Sequence, residues 1–397
     1  MRAGAPAAGA RAGPAAARSQ GPAYSCNTLA DAIEVVETVP AVIVGGGQAG
    51  LATSHELSGL GVRHVVVDAE RRVGDQWRRR WESLRLFTPA QYDQLPGLAF
   101  PAPASSYPGK DAMADYLEQY ARAGGLPVRS GVRALKLARK GDGYLLDTSA
   151  GAIEAGHVVV ATGGYQRPRV PPLASEIDRG TRQLHSSAYR NPSQLTGDIL
   201  VVGAGASGVE IAIDAAGAGF RTLLAGRGTP AIPSAVYAFK GRIFWFFAKR
   251  VATVRTPVGR RMRPRVRGHG QPLVRVAMSD ATAAGVELAP RVVAVEHGRP
   301  VLADGRRGQP GTIVWCTGFE RDHSWIEMPV AGPDGYPRQT DGAAHGEPGL
   351  YFMGLPFQTC LASALVGGAG DDARLVASAI ARRLAGTGAR DQPRAAG

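Results

Sequence analysis

The sequence predicts an α/β fold with two Rossmann-like, three-layer domains, the second inserted in the first and each carrying a β-meander. The first observation is a repeat, because residues 41–50 read AVIVGGGQAG and residues 199–208 read ILVVGAGASG. The second is that each copy ends in an apolar run followed by Thr-Gly, in HVVVATGG at 157–164 and TIVWCTGF at 312–319. A unit that recurs with the same internal order indicates two copies of one fold.

The end of the chain does not begin a third copy. Residues 349–354 read as one more buried strand and residues 362–384 as a closing helix, and both are expected to return to the first domain. Turn signals inside 132–150 and 292–307 predict the two meanders. The predicted organisation is a disordered extension over 1–38, a first domain over 39–170 and 311–386, a second domain over 171–310, and a flexible tail over 387–397.

Each Gly-rich loop has the G-x-G-x-x-G spacing, follows an apolar strand and opens a helix, so the pair of loops predicts two dinucleotide sites. The first glycine permits a tight turn, the second lets the backbone approach a pyrophosphate, and the third lets helix and strand pack closely. Phosphates then lie at the positive end of a helix. The glycines are Gly45, Gly47 and Gly50 in the first copy and Gly203, Gly205 and Gly208 in the second.

The two copies differ at the end of their second strand. Asp68 ends that strand in the first copy, and a carboxylate there accepts hydrogen bonds from a ribose diol such as that of FAD. At the same offset the second copy has Gly226, followed by Arg227. A guanidinium without a neighbouring carboxylate favours a 2′-phosphate, which predicts NADPH over NADH.

Composition excludes several classes of protein. The net charge is +13, but residues 228–279 contain no Asp or Glu and hold much of the excess, which argues against a general nucleic-acid binder. The three cysteines, Cys26, Cys316 and Cys360, form no CxxC pair, so neither a dithiol centre nor a zinc or other metal site is expected. An odd cysteine count without a secretory signal predicts a cytoplasmic protein.

The segment Lys240–Arg267 mixes aromatic residues with many arginines. Three interpretations are open: a solvated helical face and loop, a weak contact with a membrane surface, and a contact with substrate or partner. A basic amphipathic segment fits the second of these.

Further motifs give the chain a family resemblance. They are GDQWRRRW at 74–81, SLRLFTPAQYDQLPGLAFP at 83–101, ATGGYQRPRVP at 161–171, LHSSAYRNP at 184–192 and SALVGGAGDD at 363–372. Over residues 39–385 the sequence resembles the bacterial flavin-containing monooxygenase-like flavoproteins, a group that includes proteins labelled as flavoproteins involved in potassium transport. The resemblance implies a cycle in which NADPH reduces FAD, reduced flavin forms a hydroperoxide with O2, and a small organic substrate is oxygenated.

The resemblance also implies site residues. His185 and Tyr189 match the end of the family's identifying motif between the domains, although the residues before them, Arg179 and Gly180, depart from it. Phe87 occupies the position where relatives have Asn or His near the flavin, and Thr88 is the candidate to replace that hydrogen bond. The implied catalytic residues are thus Thr88, His185 and Tyr189, and further cofactor-binding residues are Trp77, Thr162, Ser207, Thr317, Gly354 and Asp371.

The leading functional hypothesis is therefore an FAD- and NADPH-dependent monooxygenase that acts on a small organic substrate with O2. Phe87 leaves two alternatives open. One is an NADPH-dependent flavin reductase or dehydrogenase that inserts no oxygen. The other is a nucleotide-sensing regulatory flavoprotein linked to ion transport.

Overall fold

A computed structural model describes residues 36–232, 241–268 and 272–388 of the chain. Most of the predicted N-terminal extension, most of the predicted C-terminal tail, and Lys240 lie outside the described residues. Among the residues that are described, no helix is long and apolar enough to cross a membrane.

The described elements alternate as an α/β chain. The strands are β1 (Val36–Val44), β2 (His64–Asp68), β3 (Val128–Ser130), β4 (Ala134–Lys140), β5 (Gly143–Thr148), β6 (Gly151–Val160), β7 (Arg167–Pro168), β8 (Arg182–His185), β9 (Ile199–Val202), β10 (Thr222–Ala225), β11 (Glu287–Ala289), β12 (Val292–Glu296), β13 (Arg299–Leu302), β14 (Thr312–Trp315), β15 (Phe319–Glu320), β16 (Gln339–Thr340), β17 (Ala343–Ala344) and β18 (Leu350–Phe352). The helices are α1 (Gln48–Gly59), α2 (Asp75–Arg78), α3 (Lys110–Ala123), α4 (Ala206–Gly217), α5 (Arg242–Phe246), α6 (Pro257–Gly268), α7 (Met278–Ala283) and α8 (Ala369–Gly388). A π-helical turn, Phe247–Val251, follows α5.

The first sheet has a parallel core in the order β3-β2-β1-β6-β18, with β17 and β16 added antiparallel at one edge. Apolar residues run through β1, β2 and β6 because both faces of this sheet are covered. Ala41 and Ile43 pack in the cluster that includes α1, α3 and α8. Val42 and Val44 point the other way, toward the meander of β4 and β5. Helices, sheet and meander form three layers, as predicted.

The second sheet repeats this arrangement with the parallel order β11-β10-β9-β14-β8. Val201 and Val314 pack with α4, whereas Leu200 and Ile313 pack with the β12–β13 hairpin. The two sheets differ in where their edge strand beside β6 or β14 comes from. In the first sheet this strand is β18, which lies near the end of the chain; in the second it is β8, which precedes the Gly-rich loop. The prediction of two Rossmann-like folds is confirmed. The first carries a meander of β4, β5 and β6, whereas the described part of the second carries the two-stranded β12–β13 hairpin.

The predicted domain boundary at 310/311 was wrong. Strand β14 pairs with β9 through Thr312–Ile199 and with β8 through Thr312–Arg182, so it belongs to the second sheet. The physical reason is the repeat itself, because β14 closes the second unit beside β9 as β6 closes the first beside β1. After Trp315 the chain leaves the second sheet: β15 pairs antiparallel with β7 in a separate two-stranded ribbon, and β16 is the next strand of the first sheet.

Candidate cofactor and substrate site

The first Gly-rich loop has a geometry that other residues would not fit. Gly45 has φ +110°, and a Cβ added there would lie 2.5 Å from the carbonyl oxygen of Ala161. A Cβ on Gly50 would lie 1.9 Å from the carbonyl oxygen of Gly45. Gly47 differs, because no atom lies within 4 Å of an added Cβ. The loop therefore leaves open space beside Gly47, directly before the N-terminus of α1.

The second loop repeats this geometry. Gly203 has φ +112°, and an added Cβ would lie 2.3 Å from the carbonyl oxygen of Cys316. A Cβ on Gly208 would lie 1.7 Å from the carbonyl oxygen of Gly203. A Cβ on Gly205 would have no atom within 4 Å. Both loops therefore present an open backbone surface at a helix N-terminus, which fits the pyrophosphate of a dinucleotide.

Asp68 is built into the first loop. Its Oδ2 accepts a hydrogen bond from the Gly46 N–H at 2.6 Å, and its Oδ1 accepts one from the Glu70 N–H at 2.8 Å. Burial raises the pKa of Asp68, and the two backbone donors oppose that rise. Each oxygen keeps a further acceptor position for a ligand hydroxyl.

The second loop has no such carboxylate. A Cβ on Gly226 would lie 2.7 Å from the backbone nitrogen of Ala204, so the close approach leaves little room for a side chain. Arg227 follows on the surface, and it forms no ion pair among the described residues. The loops are thus alike in shape and opposite in charge at the position that meets a ribose.

One cavity of about 920 Å³ lies beside the first loop, and the segments at both Thr-Gly turns contribute to its walls. Its walls include the apolar faces of Trp77 and Phe87, and the residues that follow each Thr-Gly, at 163–167 and 318–325. Six of the residues predicted to bind a cofactor line it: Gly45, Gly47, Asp68, Trp77, Thr162 and Gly354. The remaining predicted residues lie elsewhere, and they fall into separate groups.

The Gly-rich loop of the second copy does not line this cavity. Gly205 and Ser207 lie at the start of α4, and Arg227 follows β10. Thr317 donates from Oγ1 to the carbonyl oxygen of Arg169, and the Arg169 Nε donates back to the Thr317 carbonyl at 3.1 Å. Thr317 therefore ties together the two chain segments that cross between the sheets.

The expectation that Thr88 faces the flavin position was wrong. Thr88 is buried and its hydroxyl donates to Asp93, a side chain with no exposed surface. Burial raises the pKa of Asp93 to about 7. Phe87 takes the cavity position instead, and it offers no hydrogen bond there. The hydroxyl points inward because the buried carboxylate requires a donor.

His185 and Tyr189 are also held away from the cavity. The His185 Nε2 donates to the Gly318 carbonyl at 3.0 Å, and burial lowers the pKa of this ring, which favours its neutral form. Tyr189 has no exposed surface and donates to the Asp214 carboxylate at 2.7 Å. Burial raises the pKa of its phenol, and the bond to Asp214 adds to that rise. Neither side chain lines the cavity, and their catalytic roles stay a prediction: His185 bonds to the segment after the second Thr-Gly, and Tyr189 bonds to α4.

Asp371 is not at the cavity either. Its carboxylate is half exposed and pairs with Lys249 at 3.0 Å. The next residue, Asp372, is the buried one: its Oδ1 accepts from Thr359, and its Oδ2 has no partner among the described residues. Burial raises the pKa of Asp372 to about 6. On α8, a one-residue step moves a side chain from the inner face to the outer face.

Arg80 is a cavity residue that sequence reasoning missed. Its guanidinium lies 5.0 Å from the ring centroid of Tyr165 and 5.7 Å from that of Phe319, and those two rings meet edge to face. Burial lowers the pKa of Arg80, and no carboxylate pairs with it among the described residues. Its neighbour Arg79 pairs with Glu70. The sequence signal was the run of three arginines at 78–80, which did not reveal which one turns inward.

Comparison with known proteins agrees with this geometry. Residues 42–254 match the family described as pyridine nucleotide-disulphide oxidoreductase. A CzcO-like uncharacterized oxidoreductase of Geobacillus kaustophilus is 34% identical over 345 residues, which cover 86% of this chain and 98% of that protein. The indole-3-pyruvate monooxygenase YUCCA4 of Oryza sativa subsp. japonica is 26% identical, with 82% of this chain and 84% of that protein covered.

A solved structure extends the likeness to three dimensions. The flavin-containing monooxygenase from Stenotrophomonas maltophilia superposes with a TM-score of 0.74 and 25% identity, covering 88% of this chain and 99% of that one. The sequence match, the two equivalent loops and the shared cavity lead to one conclusion. The chain belongs to the pyridine nucleotide-disulphide oxidoreductase family, in which it is a flavoprotein of the flavin-containing monooxygenase-like type.

Proposed function

We propose that this FAD- and NADPH-dependent oxidoreductase is a monooxygenase that acts on a small organic substrate. The observation that carries the proposal is the single cavity shared by the first Gly-rich loop and the segments after both Thr-Gly turns. A donor held by the second loop would reach an acceptor held by the first along the segment that follows the second Thr-Gly, which forms part of the cavity wall. The names of the monooxygenase relatives support the same activity.

The residues that would hold each cofactor follow from the two loops. Gly47 and the N-terminus of α1 would receive the pyrophosphate of FAD, and Asp68 its adenosine ribose. Gly205 and the N-terminus of α4 would receive NADPH, with Arg227 on its 2′-phosphate. When bound, the two cofactors supply hydride transfer and the reduction of dioxygen. Trp77 and Phe87 would keep water from the reacting region.

A second candidate is favoured by Phe87. A monooxygenase consumes substrate, O2, NADPH and a proton, and releases oxygenated product, water and NADP⁺. Without a polar group to retain activated oxygen, the overall reaction would differ: O2, NADPH and a proton would give hydrogen peroxide and NADP⁺, and no substrate would be oxygenated. Phe87 lines the cavity where a donor is expected, and Thr88 is turned away from it. The second candidate is therefore an NADPH oxidase or dehydrogenase that inserts no oxygen.

The two candidates are separated by the fate of oxygen. The experiment measures NADPH consumption, oxygen uptake and peroxide release by the FAD-loaded full chain, with a panel of small ketones, sulfides, amines and 2-oxo acids. Substrate that takes up isotopically labelled oxygen while peroxide falls in proportion supports the monooxygenase. Peroxide equal to NADPH consumed with every substrate supports the second candidate. Absence of NADPH oxidation in all mixtures contradicts both and leaves a sensing role.

A further inference from the structure

The basic insertion, residues 240–267, has no part in the proposed activity. It lies between β10 and α7 of the second sheet, and the surrounding stretch 228–279 contains no Asp or Glu. Three of its cations form ion pairs with aspartates outside it, namely Lys249 with Asp371, Arg255 with Asp341 and Arg267 with Asp334. Arg242, Arg250 and Arg261 form no ion pair among the described residues. The insertion therefore carries a surplus of positive charge that the described part of the chain does not neutralise.

The inner side of this insertion is firmly anchored. Trp245 is buried and stacks on Tyr92 with ring centroids 4.7 Å apart. The Val254 N–H donates to the carbonyl of Thr359 at 2.8 Å, and the Leu361 N–H donates to that of Ala252 at 2.9 Å. The backbone of the insertion is thus fixed on the half of the chain that carries the cavity. Its outer side chains accordingly have defined positions.

The outer side of α5 exposes apolar residues. Ile243 is 60% exposed and Phe246 is 65% exposed. They are three residues apart on one short helix, so they lie side by side on the face opposite Trp245. Large apolar side chains that meet water together mark an interaction site when cations surround them.

Cations do surround them, around a second cavity of about 620 Å³. Phe246, Lys249, Arg250 and Arg374 line this cavity, and Asp371 is the one carboxylate among its lining residues. Lys249 pairs with Asp371, and Arg374 pairs with Glu56 and Asp371, so these two cations are partly neutralised whereas Arg250 has no ion pair among the described residues. Arg242 lies close enough to Tyr92, another lining residue, to lower the pKa of that phenol against the rise from burial. The opening therefore combines a net positive charge with an apolar rim.

We propose that these residues form a docking patch for a membrane surface that contains anionic phospholipids. The patch consists of Arg242, Ile243, Phe246, Lys249, Arg250 and Arg374. Its cations would contact lipid phosphates, and Ile243 and Phe246 would enter the boundary between headgroups and acyl chains. Charge complementarity selects this occupant, and the exposed aliphatic Ile243 favours lipid over nucleic acid, which has no apolar layer to receive it.

The test measures how the FAD-loaded full chain distributes between solution and sedimented vesicles. Vesicles of phosphatidylcholine alone are compared with vesicles that also contain phosphatidylglycerol, at low and at high salt. The wild-type protein is expected to sediment only with the anionic vesicles and to be released by salt. The double variant Arg242→Gln/Arg250→Gln should bind roughly 25-fold more weakly, about fivefold for each lost charge. Phe246→Ser should lose about tenfold.

A matched control separates the patch from general surface charge. Arg179 and Arg182 are exposed and lie outside the insertion, and the double variant Arg179→Gln/Arg182→Gln removes the same charge. It should bind vesicles as the wild type does, and the NADPH oxidation rate without vesicles should be equal in all variants. Equal vesicle binding by both double variants overturns the proposal. Absence of salt-sensitive vesicle binding by the wild-type protein also overturns the proposal. Binding of the wild-type protein to heparin and duplex DNA, without binding to vesicles, overturns it as well.

Discussion

Replacement of Asp68 tests the assignment of the first loop to FAD most directly. In the folded protein each carboxylate oxygen already accepts one backbone N–H, from Gly46 and from Glu70. Each oxygen has one more acceptor position for a ribose hydroxyl. A hydrogen bond to a charged group contributes about 1.5 kcal/mol at the low end of its range. Two of them give about 3 kcal/mol, or about 150-fold in the dissociation constant of FAD.

Two variants of Asp68 should weaken FAD binding to different degrees. Asp68→Asn retains one acceptor oxygen, so FAD affinity should fall about tenfold, whereas Asp68→Ala should lose about 150-fold. The assay is equilibrium titration of flavin-free protein with FAD, followed by flavin fluorescence. Because burial raises the pKa of Asp68, wild-type affinity should fall as the pH is lowered, beginning at a higher pH than an ordinary aspartate would give. Asp68→Asn should show no such pH dependence.

The control for Asp68 is the second loop of the same molecule. Binding of NADP⁺ to the flavin-free protein should change little, since the carboxylate bonds only to Gly46 and Glu70 at the first loop. Affinity of Asp68→Ala for FAD within threefold of wild type would refute the reasoning. An equal loss of NADP⁺ affinity would point to general loosening of the fold instead.

Three further predictions concern the second loop, the cavity and the core. Arg227→Gln should raise the KM for NADPH about tenfold in steady-state assays and leave the KM for NADH unchanged. The rise in the KM for NADPH should be smaller at high salt, because the Arg227 side chain is exposed. Equal effects on the KM values of both coenzymes would contradict the assignment. Arg80→Met should weaken NADP⁺ binding at least about tenfold in titrations, because a half-buried guanidinium without an ion pair among the described residues is expected to meet an anionic oxygen. Arg79→Met, which breaks only a surface pair with Glu70, should not weaken NADP⁺ binding. In the core, a folded-state pKa of about 7 for Asp93, raised by burial from 3.8, predicts that the free energy of unfolding falls by about 3 kcal/mol as pH rises from 4 to 7. Asp93→Asn should remove that slope in denaturant titrations across this pH range, and an unchanged slope would show that another group causes it.

The architecture could be predicted from sequence because its signals are local. Each G-x-G-x-x-G follows apolar residues and precedes a helix, and the position after the second strand distinguishes Asp68 from Gly226 without any long-range information. The glycine geometry then follows, since Gly45 and Gly203 adopt nearly the same φ.

The catalytic side chains could not be predicted in the same way, because their orientation depends on distant partners. Thr88 turns inward toward Asp93, and Tyr189 is drawn into the core by Asp214. Arg80 remains in the cavity because two rings from separate segments hold it. The residues next to these positions in the sequence do not predict such long-range contacts. A motif shared with relatives indicates that a residue belongs to the site region, but it does not predict where the side chain points.

The pairing of β7 with β15 places both covalent crossings between the sheets in a single narrow ribbon. The insertion between β10 and α7 is anchored separately on the first half, through the hydrogen bonds Val254–Thr359 and Leu361–Ala252. The second sheet is therefore attached at two separate places, which would restrict its rotation relative to the first sheet. Arg80, Tyr165 and Phe319 lie beside the ribbon and would keep their mutual contacts during such a rotation.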